Sequence, residues 1–329
     1  MTAQAKPGRL GVVLSTVTAG PPQEFVDIGR LAEQHAFEAV YVNEGRGDAL
    51  ACAQAIASGT TQLTVGTNIA NIYFRHPFLA AATLRTIAEL HGGRLRVGFG
   101  MSHRGLLASL NIDMGDARTR LRDYVAYVQD ALAGHAGSGF LKQAASAFAV
   151  PVYVAANTVE SATVAGEVGS GLMPFLSPRS YLPSLVAAAR ASATQAGRTL
   201  DECACVLSIP TFLSDDSAAA RSAARYNLAF FALLPNYRRQ WRRAGFGAAM
   251  DAIRALGRGA SRAEVVKHIP DTLVDEVCVF GTAAQCRAQL EAFRAAGADM
   301  PVLAVSPVNE DRLVATRKAI IALGFRAIH

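Results

Sequence analysis

The chain has 329 residues, of which 51% are hydrophobic, and a formal net charge of +6. This length suits two average domains or one α/β barrel, and the apolar content is ample for a core. No apolar run reaches the ~18 residues of a membrane span, and residues 1–8 lack the apolar core of a signal peptide. The modest, dispersed charge argues against nucleic-acid binding. The five cysteines form no metal-type Cys-x-x-Cys pair, so we expect a reduced, cytoplasmic protein without a metal.

Short β-branched runs alternate with helical segments in the first part of the chain. We predict strands at residues 9–15, 39–42, 63–67 and 95–100, and helices at 21–35, 49–58 and 77–90. Pro77 suits the first turn of the third helix, and Gly92-Gly93 suits its end, because glycine adopts the left-handed cap conformation without strain. Apolar residues of that helix recur at spacings that put them on one face; they are Leu79, Ala82, Thr86 and Leu90, with Ile87 at its edge.

The second part of the chain continues this alternation with one interruption. We predict strands at residues 151–156, 171–173, 203–213 and 301–305, and helices at 118–133, 158–168, 183–196, 282–296 and 311–323. Residues 231–275 form a helical excursion, and we interpret its basic and aromatic stretch 237–243 as a solvated arginine face, with a polyanion site or a lid as the alternative. Eight strand–helix alternations predict one α/β domain over residues 1–329, a (β/α)8 TIM barrel with a helical insertion before the last βα units.

Three motifs follow one another around the third and fourth strands: GTNIANIYxRxP at 66–77, GGR at 92–94 and GxGxSH at 98–103. Together they resemble the luciferase-like oxidoreductases, and within these the branch that uses coenzyme F420, a deazaflavin, rather than FMN. Matching segments run from about residue 9 to residue 308. The resemblance implies a TIM barrel that transfers a hydride between F420 and a small organic substrate. That substrate would carry an activated C=C, C=N or C=O bond, or would be an alcohol in the reverse direction.

In such a barrel the functional residues lie at the C-terminal ends of the strands. Asn43 and Glu44 follow the second strand, where relatives often place an Asp-His or Glu-His pair beside the flavin-like ring. A glutamate over an apolar barrel mouth is desolvated, which favours its protonated form and makes Glu44 a candidate general acid. A plain salt bridge to Arg46 is an equally good interpretation. After the third strand, Asn68-Ile69 resembles the site of a non-prolyl cis peptide behind the central ring of the cofactor.

The fourth strand ends in Gly98 and Gly100, and glycines there let a flat or anionic group approach the backbone. The resemblance places Gly100, Met101 and Ser102 at the cofactor. It places His103 where some deazaflavin dehydrogenases have a glutamate that acts on the substrate. Histidine titrates near neutrality, so His103 is a candidate for the proton transfer that accompanies hydride transfer, and a purely structural histidine is the alternative.

The fifth strand leads through Ala155, Ala156 and Asn157 to Thr158, a good N-cap for the following helix. A helix N-terminus that points into the barrel offers free N–H groups to a phosphate, and the resemblance places the cofactor phosphate on these four residues. Relatives often have glycine in place of Asn157. An ordinary capped helix is one alternative here, and a phosphate site after strands seven and eight is the other.

These features favour a cytoplasmic F420-dependent oxidoreductase, in which the resemblance assigns Tyr73 and Arg75 to the substrate. An FMN-dependent luciferase-like monooxygenase is the first alternative. A flavin-binding protein without turnover is the second, because the Asp-His type pair is missing and residues 134–150 look like a shortened loop. The expected partners are a small-molecule substrate, a second copy of the chain, and a separate reductase that supplies reduced F420 or FMN. Nucleic acid and membranes are not expected partners.

Overall fold

Parallel strands form one curled sheet in the computed structural model, which describes residues 8–17, 20–257 and 259–325. The nine strands within these residues are β1 Gly11–Ser15, β2 Ala39–Asn43, β3 Thr64–Asn71, β4 Leu95–Gly100, β5 Val152–Ala155, β6 Gly171–Met173, β7 Val206–Leu213, β8 Val279–Gly281 and β9 Met300–Val305. Their order in the sheet is β6-β5-β4-β3-β2-β1-β9-β7-β8. Isolated parallel bridges join Leu172 to Cys205 and Phe175 to Ser208, so the β6 end of the sheet curls back towards β7.

Helices follow most of the strands, which confirms the predicted α/β class. They are α1 Pro22–Gln34, α2 Ala49–Gly59, α3 Pro77–Leu90, α4 Arg104–Ser109, α5 Ala117–Leu132, α6 Val159–Val168, α7 Leu182–Gln195, α8 Ser217–Ala232, α9 Pro235–Trp241, α10 Gly247–Ala255, α11 Arg262–Val265, α12 Asp271–Val277, α13 Ala283–Ala295 and α14 Arg312–Leu323. A π-helical turn, Arg242–Phe246, joins α9 to α10. Among the described residues, no helix combines the length and the apolar character that crossing a membrane requires.

The two faces of the sheet carry separate hydrophobic clusters, because successive side chains of a strand point to opposite sides. Val40, Val42 and Val97 belong to the large cluster between the sheet and its outer helices. The inner face carries a smaller cluster that fills the space enclosed by the curl; its buried members are Ala39, Tyr41, Tyr153, Met173, Cys203, Val206, Met300 and Val302. The sheet is therefore covered on both faces, as a parallel sheet requires.

The face predicted for α3 is wrong. Its buried residues are mostly alanines, namely Ala80, Ala81, Leu84, Ile87 and Ala88. Leu79 and Leu90, which the spacing put together, are 58% and 63% exposed. Small side chains let the helix axis lie close to the sheet, and the larger residues of the helix are left on its outer side.

The strand β8 was not predicted. It has three residues and pairs only with the last residues of β7, from Thr211 to Leu213. A run this short carries no periodicity that could separate it from the flanking helices. Helices α9 to α12 lie between β7 and β8 and surround the fully buried Trp241, whose indole N–H donates to the backbone oxygen of Leu176 (2.9 Å).

Candidate active site

An opening lies on the inner face of the sheet, at the C-terminal ends of its strands. In a sheet covered on both faces, strand residues are normally buried. Here several inward-facing positions near the strand ends are partly exposed; they are Val13, Ser15, Asn43, Ile69, Ala155 and Ala304. Three of these side chains are as small as serine or alanine, so little side-chain volume occupies this part of the inner face.

The sequence motifs predicted Asn43, Ile69 and Ala155 in this set but missed Val13, Ser15 and Ala304. These three lie on β1 and β9, which carry none of the matching motifs. Their alternation within buried strands would have identified them, because every second residue of such a strand points to the inner face.

The predicted cis peptide bond between Asn68 and Ile69 is confirmed. The backbone oxygen of Asn68 accepts a hydrogen bond from Asn43 Nδ2 (3.4 Å), and that of Ile69 accepts one from the Glu44 N–H (3.1 Å). The buried Nδ2 groups of Asn68 and Asn71 have no hydrogen-bond partner among the described residues. Because buried donors are almost always paired, two unused donors at this rim fit a site that receives a polar ligand.

Glu44 forms a buried ion pair with Arg75, not with Arg46 as the alternative interpretation proposed. Its side chain is 2% exposed and that of Arg75 is 11% exposed. Glu44 Oε1 accepts from Arg75 Nη2 (2.5 Å), while Oε2 accepts from Arg75 Nη1 (3.2 Å) and from the Asn71 N–H (2.6 Å). Oε1 also accepts from the Ala49 N–H (3.4 Å), so both carboxylate oxygens bind protein donors, which favours a positioning role over the predicted acid role.

Arg75, predicted to contact the substrate, also lies within 3.1 Å of Asp48 Oδ1. Burial lowers the pKa of Arg75, but the hydrogen bonds and charge of Glu44, followed by the charge of Asp48, outweigh burial and leave that pKa raised. The guanidinium is therefore a fixed cation whose partners lie within the protein. Its substrate role stays a prediction.

The glycines at the end of β4 make room for neighbouring side chains rather than for a ligand, which corrects the expectation of an open backbone there. A Cβ on Gly100 would lie 2.7 Å from Ile69 Cδ1 and 3.0 Å from Ala155 Cβ, and one on Gly98 would overlap Met173 Sδ. The requirement for glycine at both positions therefore comes from packing inside the curl. Contact of the cofactor with Gly100 stays a prediction.

His103 lies just beyond β4, at the N-cap position of α4. It follows the partly exposed Met101 and Ser102, and Ser102 has a left-handed backbone (φ 60°). The imidazole makes no side-chain hydrogen bond within the described part of the chain, and its centroid lies 6.0 Å from that of the Tyr237 ring. Burial lowers the pKa of His103 from its usual 6.5. The ring is therefore neutral at neutral pH and suited to accept a proton.

Thr158 is the N-cap of α6, as predicted, and its hydroxyl forms a capping box with Ser161. Asn157 Oδ1 accepts from the Phe175 N–H (2.8 Å) and so ties the end of β5 to the end of β6. The first turn of α6 also carries Glu160. The pKa of Glu160 is lowered to about 2, first by its own backbone N–H, then by Thr158 and by Arg243, whose Nη1 lies 2.5 Å from its carboxylate.

Glu160 therefore adds a negative charge to the first turn of α6, next to the residues predicted to bind the cofactor phosphate, and Arg243 pairs with it. This arrangement corresponds to the ordinary capped helix named as an alternative. Ala156 is buried, and Ala155, Asn157 and Thr158 are partly exposed. The phosphate site stays a prediction that the neighbouring carboxylate weakens.

Tyr73 lines a different concavity, a surface cleft of about 380 Å³ between α3 and α5. Its hydroxyl donates to the backbone oxygen of Met114 (2.7 Å), and the Arg120 guanidinium lies 5.9 Å from its ring centroid. Tyr124 and Tyr127 complete the aromatic lining. A role of Tyr73 at the substrate stays a prediction, because its side chain is held on the outer side of the strand ends.

An open mouth at the strand ends, with a neutral histidine beside it, is typical of enzymes built on α/β barrels. Within the described residues, no group of three or more His, Cys, Asp or Glu side chains could hold a metal ion. The fold, with candidate site residues at the ends of its parallel strands, indicates the class of α/β enzymes built on a curled parallel sheet.

The model of the luciferase-like monooxygenase family matches residues 9–300. The 5,10-methylenetetrahydromethanopterin reductase of Methanolobus tindarius is 25% identical over 94% of this chain and 96% of its own length. The F420-dependent glucose-6-phosphate dehydrogenase of Microbacterium testaceum is 24% identical over 67% of this chain and 73% of its length. The fold is similar to the coenzyme F420-dependent tetrahydromethanopterin reductase of Methanopyrus kandleri, with a TM-score of 0.76, 18% identity, and coverage of 97% and 99% of the two chains.

The chain belongs to the luciferase-like family, which confirms the resemblance and makes it an oxidoreductase. Monooxygenases also occur among the solved structures with this fold. Similarity of fold therefore does not decide whether the cofactor of this chain is a deazaflavin or a flavin.

Proposed function

We propose that the chain is an F420-dependent oxidoreductase that moves a hydride between the deazaflavin and a small organic substrate. The observation that carries the proposal is the opening at the strand ends, where small inward-facing side chains occur together with Asn68 and Asn71 Nδ2 groups that have no partner among the described residues. The F420-dependent relative supports the choice of cofactor. We propose that all strands except β8 form the (β/α)8 barrel, and the isolated bridges between β6 and the β7 side of the sheet support its closure.

The residues at the opening fit a flat ring with polar edges. Asn43, Asn68 and Ala155 would line the ring, and Ile69 would lie behind it. When bound, F420 supplies or accepts a hydride, that is, two electrons with one hydrogen nucleus. The protein contributes orientation, exclusion of water and a group that transfers the accompanying proton.

His103 is the group that would transfer this proton. In alcohol oxidation the neutral imidazole would take the O–H proton of the substrate, and bound F420 would accept the hydride from the C–H bond as the C=O bond forms. In the reverse direction the imidazolium returns the proton to oxygen. Burial holds the pKa of His103 below 6.5, so the base form prevails at neutral pH. Glu44 is assigned a positioning role, because it joins Arg75 to the end of β3.

The test is turnover of F420 with and without this imidazole. We expect His103→Gln to lower kcat by ~10²–10⁴-fold with little change in F420 affinity, the usual effect of removing a general acid or base. His135→Gln is the matched control, because His135 is exposed in the segment 134–150. Wild-type turnover by His103→Gln would assign the proton transfer to solvent.

Two rivals have distinct signatures. An FMN-dependent monooxygenase supplied by a separate reductase would hold FMN and consume oxygen. A flavin-binding protein without turnover would bind F420 or FMN tightly and transfer no hydride to any acceptor. Under the leading proposal, a separate enzyme supplies F420H2 for reduction reactions.

The partner proposed for the outer face of α3 is a second copy of the chain. Leu79 and Leu90 are both exposed there and lie 11 residues apart, about 16 Å along the helix. A twofold axis across α3 would bring each Leu79 against Leu90 of the other copy, as a self-complementary interface requires. We expect a dimer in sedimentation velocity and a monomer when both leucines are changed to glutamate. A wild-type monomer would contradict this proposal.

A further inference from the structure

Three aromatic side chains form one wall beside His103. Phe175 lies two residues beyond the inward-facing Met173 of β6 and so points to the same side of the strand. Its ring centroid is 5.4 Å from that of Phe231 at the end of α8 and 6.1 Å from that of Tyr237 on α9. Tyr237 is in turn 5.0 Å from Phe231 and 6.0 Å from His103. We call Phe175, Phe231 and Tyr237 the aromatic wall.

The wall is held in place by hydrogen bonds to the backbone of Phe175. Its N–H donates to Asn157 Oδ1 (2.8 Å), and its carbonyl oxygen accepts from Gln240 Nε2 (3.2 Å). Gln240 Nε2 and Trp241 Nε1 also donate to the next carbonyl, that of Leu176, at 3.0 and 2.9 Å. These contacts fix α9 to the end of β6, so the wall is preorganised.

The ring of His103 faces that of Tyr237, with 6.0 Å between the ring centroids, while the next residue, Arg104, is exposed. Burial lowers the pKa of His103. Three of the four arginines in the stretch 237–243 pair with other groups: Arg238 Nη1 donates to the backbone oxygen of Ala232 (2.6 Å), and Arg242 and Arg243 pair with Asp251 and Glu160. The fourth, Arg239, is exposed. These three arginines therefore do not supply a cation to the wall, although the sequence places basic and aromatic residues in one segment.

Phe175 and Phe231 remain partly exposed, whereas Tyr237 is 6% exposed. Partly exposed aromatic rings beside a strand-end opening are typical of the apolar part of a small-molecule site. A charged substrate group placed against them would lose hydration without finding a counter-ion.

We propose that the aromatic wall is a specificity subsite that selects uncharged substrates with a cyclic or aryl body, such as a cyclic ketone or the corresponding secondary alcohol, over carboxylated or phosphorylated ones. This inference rests on the proposed function and adds the substrate class. The wall packs against the ring of the substrate and leaves the carbonyl or hydroxyl group towards His103. In the oxidation direction the substrate loses a hydride to the deazaflavin and a proton to His103, which balances electrons and atoms.

The chain has a native reporter for this subsite, because its one tryptophan, Trp241, lies 6.2 Å from Tyr237. The experiment titrates the protein, alone and loaded with F420, with cyclohexanone and with cyclohexanecarboxylate while Trp241 fluorescence is recorded. These two probes share the ring and differ in charge. We expect saturable binding of cyclohexanone and at least tenfold weaker binding of the carboxylate.

Phe231→Ala should weaken cyclohexanone binding about tenfold, the equivalent of ~1.4 kcal/mol. Phe140→Ala is the control, because Phe140 is 100% exposed and does not belong to the wall, and it should bind cyclohexanone as the wild type does. Equal binding of both probes, or an unchanged Phe231→Ala variant, would overturn the proposal. Binding that depends on Phe231 in a protein that does not bind F420 would support the subsite and reject the proposed function.

Discussion

Replacing Glu44 with glutamine separates the two roles considered for this residue. Glutamine keeps one oxygen, but its NH2 group then faces Arg75 or the Asn71 N–H, both of which are donors. Removing one partner of a buried ion pair costs ~3–5 kcal/mol. Arg75 retains Asp48 at 3.1 Å, but that carboxylate is 55% exposed and such a pair contributes ~1 kcal/mol or less. We therefore expect the free energy of unfolding to fall by about 3 kcal/mol.

Urea denaturation of Glu44→Gln measures this loss, with Glu291→Gln as the matched control. Glu291 pairs with Arg294 at 2.7 Å but is 69% exposed, so the same substitution should cost less than ~1 kcal/mol. Turnover measured on the folded fraction of Glu44→Gln should fall much less than that of His103→Gln. Wild-type stability together with a ~10²-fold or larger loss of turnover would refute the positioning role and restore Glu44 as the proton donor.

Two further predictions concern the ionisable groups of the site. Burial lowers the pKa of His103 below 6.5. We therefore expect kcat/KM for alcohol oxidation to rise as the pH increases through that pKa and then to level off. A kcat/KM profile that does not rise in this pH range would contradict the role of His103 as a base. If the cofactor phosphate lies at the start of α6, Asn157→Glu should weaken F420 binding at least tenfold, about 1.4 kcal/mol, and Glu160→Gln should strengthen it. If both folded variants bind F420 with unchanged affinity, the phosphate site would be assigned to the ends of β7 and β9, which are the seventh and eighth strands predicted from the sequence.

The cis bond at Asn68-Ile69 and the strand ends that form the opening could be predicted, because each depends on a local motif or on short-range alternation. The partner of Glu44 could not, since Arg75 lies 31 residues away and Arg46 is nearer in sequence. Only the pairing of β2 with β3 brings Arg75 to the carboxylate. The sequence predicted open backbone at Gly100 for a similar reason. The side chain of Ile69 fills that space from the neighbouring strand β3, and only strand pairing brings the two together.

The α3 helix and the stretch 237–243 show a second limit of prediction from sequence, namely which side chains of a segment become buried. Spacing identified residues of α3 that share a face, but alanine packing decided which face is buried. In the stretch 237–243, sequence alone recognised basic and aromatic residues together. The fold separates them, with Tyr237 and Trp241 buried, Arg238, Arg242 and Arg243 paired with other groups, and Arg239 exposed.

Titration of the purified protein with F420 and, separately, with FMN tests the central claim most directly, with cofactor fluorescence as the signal. We expect saturable F420 binding with a Kd of about 1 μM or tighter, equivalent to about −8 kcal/mol, and weaker binding of FMN. FMN binding with at least equal affinity, together with no binding of F420, would contradict the assignment of the deazaflavin as cofactor.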